Sequence, residues 1–255
     1  EHIAYCSKTF YNSDLQAIRL RTKPINEVIK FDILDYEVED EEGNYNKKEA
    51  QLIIKYLEKL KEKKTKQTVG IITPFTDQQK YITTQITKHP DRDYFFEDLK
   101  LKIMTFDTCQ GEERQIVFYS MVACKKRNKL NTIFPVDLSK KDLEEKGDKR
   151  AQRLNVGFSR VQETMHIITS RKLDKIDGEI GNALRFINCM KNVSIASGST
   201  LTLYGEKETT DVIYVCRLYA GDFNFTNNFS ILSGSAKNIF SNDGGVIDGF
   251  PVGTS

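Results

Sequence analysis

The sequence predicts an α/β fold, a parallel sheet with helices on both faces, followed by a small β-rich tail. Three observations predict it. Short apolar runs alternate with stretches of helical period, the pattern of strands joined by helical crossovers. One run, Thr68-Val69-Gly70-Ile71-Ile72, is apolar almost throughout, as a strand buried on both faces must be. Near Asn192 the helical period stops and Ser, Thr, Asn and Gly take over.

Each element has its own signal. Residues 28–36 form a strand through Val28, Ile29, Phe31, Ile33 and Tyr36. Asn46-Lys47-Lys48-Glu49 forms a capping box: Asn46 accepts from the backbone near Glu49, and Glu49 reaches back. The helix it opens places Leu52, Ile53, Tyr56, Leu57 and Leu60 on one face and ends in Lys61 to Lys64. Thr73-Pro74 closes the apolar strand, and residues 77–88 are helical. Strands follow at 101–106 and 116–122, then a largely helical stretch over 142–162 with a break near Gly147. A strand at 165–169 and a helix at 179–190 complete the layer. Domain 1–195 ends there. In the tail, 196–255, residues 200–204 and 211–219 read as strands.

Composition bounds the class. Hydrophobic residues are 39% and charged residues 29%, ordinary for a globular protein. No apolar run approaches the roughly 20 residues a membrane helix needs, so no membrane partner is expected. Cys6, Cys109, Cys124, Cys189 and Cys216 are scattered without a CxxC or Cys/His cluster. Neither a metal site nor a disulfide framework is indicated, and free thiols suit a reducing cytoplasmic setting. Net charge is +2, divided between a basic body and an acidic tail. A mildly basic body permits phosphate contacts and is equally the solvated surface of any globular domain.

Three segments carry chemistry, each at the carboxyl end of a predicted strand, where parallel α/β sheets bind ligands. In Ile71-Ile72-Thr73-Pro74-Phe75-Thr76-Asp77, a turn into a helix offers backbone N–H groups and hydroxyls to a phosphate, or is an ordinary connection. In Thr105-Phe106-Asp107-Thr108-Cys109-Gln110-Gly111-Glu112-Glu113, Gly111 allows a tight turn. Glu113 there can accept from a ribose hydroxyl, and Gln110 can donate and accept. In Arg153-Leu154-Asn155-Val156-Gly157-Phe158-Ser159-Arg160, two arginines seven apart share a helix face, which suits a polyphosphate or a pair of surface ion pairs.

Together these segments resemble a known family. TFDTCQGEE and RLNVGFSR are similar to motifs V and VI of superfamily-1 helicases. The nearest branch contains the nonsense-mediated-decay RNA helicase and the eukaryotic nuclease–helicases of Okazaki processing. VGIITPFTDQQ, SKTFYN and NKKEAQLIIKYL resemble that branch's neighbouring segments in the same order, over residues 1–190.

The resemblance implies the second of two RecA-like motor domains of the P-loop NTPase superfamily, with ATP and Mg²⁺ held mainly by the first domain. The sequence has no GxxxxGK[ST] loop, and no Asp-Glu pair follows an apolar strand as that family's first domain would need. The first domain is therefore expected in cis or encoded upstream, and this chain alone is expected to be inactive. On the resemblance, Arg160 is the arginine finger and Arg153 supports it or reaches the phosphates. Gln110, Gly111 and Glu113 approach the nucleotide. Thr73, Pro74 and Thr105 lie on the side that grips single-stranded DNA or RNA. Phe158-Ser159 and Thr108-Cys109 depart from the commoner family residues without removing a chemical group the mechanism needs.

The tail does not resemble helicase sequence; residues 222–228 and 233–236 slightly resemble β-rich phage virion structural proteins. Two other functions remain open at this stage: an orphan module that binds nucleic acid or protein without turnover, and a structural role centred on the tail.

Overall fold

The computed structural model describes residues 4–11, 25–35, 44–123, 129–138 and 149–191, and two short strands beyond them. The chain forms two compact units. One comprises Ile3–Val28 with Cys189–Ser255. It holds helices α1 (Ala4–Phe10) and α2 (Ile25–Val28), and an antiparallel pair, Ile239–Phe240 with Val246–Ile247. The tail strands expected at 200–204 and 211–219, and the segments likened to virion proteins, lie outside the described residues.

The other unit, Ile29–Asn188, is a five-stranded, all-parallel sheet with helices, the RecA-like architecture. Its strands are β1 (Ile29–Ile33), β2 (Val69–Thr73), β3 (Lys102–Thr105), β4 (Arg114–Ser120) and β5 (Val161–Thr169). Their order across the sheet is β1-β5-β4-β2-β3. The interior strand β2 is buried at every residue, as its apolar run requires.

Alternation along the strands builds two cores. Ile71, Ile116, Phe118 and Ile168 face α3 (Lys47–Glu62), α4 (Thr76–Thr87) and α5 (Arg92–Glu97), meeting Ile53, Leu57, Ile82, Ile86 and Phe95. Under α3, Asp32 of β1 accepts from the Tyr56 hydroxyl at 2.8 Å and meets His166 Nε2 of β5 at 2.7 Å. Burial, and then the neighbouring Asp32, push the Tyr56 hydroxyl up to about 12. On the opposite face, Tyr119 and Phe106 pack with Phe134 and with Phe158 of α7 (Lys149–Phe158). Phe134 follows the short α6 (Leu130–Ile133). Beyond β5, α8 (Gly178–Lys191) buries Ile180, Ala183, Leu184 and Ile187.

Two local expectations are corrected. The capping box is half formed: the Glu49 N–H donates to Asn46 Oδ1 at 3.1 Å, but the Glu49 carboxylate does not reach back. The Asn46 N–H goes instead to Gln78 Oε1 at 2.6 Å, and Glu49 turns inward to hydroxyls from β4 and the end of β5. The helix expected to run to 162 stops at Phe158, and Val161 to Thr164 belong to β5. Those residues pair with β4, and Glu163 accepts from Gln67 and Gln115, which a helix there would forgo.

Candidate functional site

A parallel sheet has two chemically distinct edges, and the candidate segments lie at both. At the carboxyl edge, β2 and β3 end side by side, with Thr73 opposite Thr105. Residues 106–113 then carry the chain back to the amino end of β4 with no helix. The segment 105–113 therefore starts at one edge and ends at the other. The expectation that all three segments gather at carboxyl ends is corrected: Gln110, Gly111, Glu113 and Arg160 lie near the amino ends of β4 and β5.

The pairing fixes this placement. Arg114 opens β4 opposite Val161 of β5, and the Arg114 N–H donates to the Arg160 carbonyl at 3.1 Å. Gln162 Nε2 donates to Glu113 Oε2 at 3.0 Å. Gly111 takes φ +78°, and nothing lies within 4 Å of where a Cβ would stand, so backbone conformation and not space calls for glycine. Gln110 and Glu113 are exposed. Glu112, tied to Lys102 and then to Arg114, has its carboxyl held below its ordinary value.

Arg160 stands in the turn after α7, half-buried. Its Nε donates to the Val156 carbonyl and its Nη2 to Ser159 Oγ, both at 2.8 Å. Among the described residues no carboxylate pairs with it. Burial pushes the nearby Cys109 thiol up to about 11, against the opposing pull of the Arg160 charge.

Arg153 is engaged elsewhere. Its Nε donates to Asp107 Oδ1 at 2.5 Å and its Nη1 to the Ile133 carbonyl at 2.8 Å. The shared two-arginine face expected from the spacing is therefore absent. Helix α7 ends before Arg160, and the two guanidinium groups serve different partners.

The residues assigned to nucleic acid are all covered: Thr73 is fully buried, Pro74 is buried and Thr105 is 6% exposed. Thr73 Oγ1 has no hydrogen-bond partner among the described residues. The Thr105 N–H donates to Thr108 Oγ1 at 2.9 Å, and the two hydroxyls lie 3.2 Å apart. The exposed side chains next to them are Thr76, Asp77, Asp107 and Thr108. No sequence signal separated these from their buried neighbours, because burial at a strand end depends on what the following turn covers.

Among the described residues no group of three or more His, Cys, Asp or Glu could hold a metal. No helix there is long and apolar enough to cross a membrane. No curated protein matches the chain. A family model described as an AAA domain matches residues 3–172, two thirds of the sequence. The match spans β1 through β5 and both edge segments. The chain therefore belongs to this AAA domain family, as a helicase-like P-loop NTPase domain.

Proposed function

We propose that this chain is the second motor domain of an ATP-dependent superfamily-1 helicase. In this reading, ATP binds between the amino edge of the sheet and a partner motor domain that supplies the phosphate loop and holds Mg²⁺. The carboxyl edge grips single-stranded nucleic acid. The observation that carries the proposal is Arg160. A guanidinium without a carboxylate partner among the described residues stands within electrostatic reach of Cys109, two residues before the open Gly111, ready to meet an anion.

Each residue has a role in this reading. Arg160 stabilises charge developing on the transferred phosphoryl group. Glu113 and Gln110 are exposed for the ribose side of the nucleotide, and Gly111 lets the backbone approach. Arg153 positions motif V by holding Asp107 and does not contact phosphate itself. Thr73, Pro74 and Thr105 shape the nucleic-acid edge from beneath.

The test uses a protein containing both motor domains. Arg160→Ala should lower kcat about a thousandfold with a much smaller change in nucleotide affinity, because a finger acts on the transition state. Arg160→Lys should rescue poorly, since a point charge does not reproduce the planar fork. Normal turnover in Arg160→Ala removes the finger assignment. The 255-residue chain alone should show no ATPase above background; nucleic-acid-stimulated turnover from it would overturn the two-domain part.

A further inference from the structure

We infer that Glu49 is a positioning residue of the carboxyl edge: its carboxylate clamps the exits of β4 and β5 together and holds Val122 in a backbone conformation that valine avoids. The inference rests on the proposed nucleic-acid reading only for its consequence, that the grip at this edge depends on the clamp.

Glu49 is fully buried at the first turn of α3. Oε2 accepts from Ser120 Oγ at 2.7 Å and from the Val122 N–H at 2.9 Å, and Oε1 accepts from Ser170 Oγ at 2.8 Å. The two hydroxyls cannot easily reverse. Ser120 Oγ already accepts from Gln78 Nε2 at 2.8 Å, and Ser170 Oγ from Asn46 Nδ2 at 2.5 Å. Each serine thus receives on one side and donates to Glu49 on the other. Both carboxylate oxygens face donors, the arrangement an ionised carboxylate satisfies best. The groups bonded to it, from the α3 cap, β4, the end of β5 and through Gln78 of α4, are all uncharged.

Val122 shows what the clamp does. Its φ is +51°, a region that a β-branched side chain disfavours and that persists only where surroundings enforce it. The enforcing contact is its N–H on Glu49. The same chain of bonds reaches Gln78, two residues into the helix that follows Thr73-Pro74. Three exits from the carboxyl edge, after β2, β4 and β5, are thereby tied to one side chain.

The full chain, labelled for amide NMR, tests this directly. The Val122 amide proton should titrate with a midpoint near 7, where burial places Glu49. Glu49→Gln should abolish that titration, which separates it from any histidine, while keeping Val122 protected, because the amide oxygen still accepts one bond. Glu49→Met removes both acceptors and should speed Val122 exchange about tenfold or more. Exchange of the Val122 amide at the rate of an unbonded amide in the unsubstituted chain overturns the clamp without any variant having to fold; so does unchanged exchange in a folded Glu49→Met chain. Binding of a fluorescent oligothymidylate should weaken about tenfold in Glu49→Met and largely recover in Glu49→Gln. Unchanged affinity with a loosened Val122 overturns the positioning role. If the unsubstituted chain binds no oligonucleotide, the nucleic-acid reading fails, and Val122 exchange still decides the clamp.

Discussion

The ring of Phe106 lies so close to the backbone of Gly157 that a Cβ on that glycine would stand 2.2 Å from Cδ1. Phe106 is the first residue after β3, and Gly157 is in the last turn of α7, so this contact joins the motif V and motif VI segments. Neither side can give easily: Phe106 is ringed by Tyr119, Phe134 and Phe158, and the Gly157 carbonyl accepts from the Tyr119 hydroxyl at 2.8 Å. Gly157→Ala should therefore cost about 1–3 kcal/mol by overpacking. Thermal denaturation should show a fall of several degrees, and adding Phe106→Leu should restore part of it. An unchanged melting temperature in Gly157→Ala would mean that the Phe106 ring can move aside at no cost.

The two arginines of motif VI should separate cleanly by experiment. Arg153→Ala breaks the bonds to Asp107 and the Ile133 carbonyl and should cost about 1–2 kcal/mol, modest because Asp107 is half exposed. Among the described residues Arg160→Ala loses bonds only within its own turn and should leave the melting temperature nearly unchanged. Equal destabilisation by both would contradict the division into an arginine that ties segments together and one bonded within its own turn.

Thr73 offers a test in the opposite direction. Its buried hydroxyl has no partner among the described residues, so the isosteric Thr73→Val removes an unmet polar group. Stability should rise by about 0.5–1 kcal/mol in chemical denaturation. A loss of stability would show that the hydroxyl has a bonding partner after all.

Glu49 sets a pH dependence whose sign is fixed. Its folded value, about 7, is above its ordinary 4.5 because burial penalises the charge more than its hydrogen bonds favour it. Between those values the folded chain keeps a proton that the unfolded chain has lost. Its contribution to stability is therefore fully present below about 4.5, declines as pH rises through about 7 and is level above that. Denaturation followed across this window should show the decline, and Glu49→Gln should flatten it. A Glu49→Gln chain with the same slope would place the titration elsewhere.

How much was legible in the sequence depended on distance along the chain. The α3 cap and the buried strand β2 were readable because their signals are local. The partner of Glu49 was not, because Ser120 and Ser170 are brought to it only by the sheet. The segment 105–113 stands out as a string, but nothing local shows that its ends lie at opposite edges, because β4 starts only after Glu113. The arginine spacing misled because a helix was assumed to continue where Val161 to Thr164 pair with a strand.

The helix-less return from β3 to β4 has a mechanical meaning. Parallel strands are usually joined by a dozen residues or more, with a packed helix taking up the length. Here eight residues, 106–113, cross the sheet and are held at Phe106, Asp107 and Glu113. Such a tether has little slack, so a displacement at one end must be delivered at the other instead of being absorbed between. Lengthening it by a few residues near Thr108 would leave both ends chemically intact and break the conversation between them.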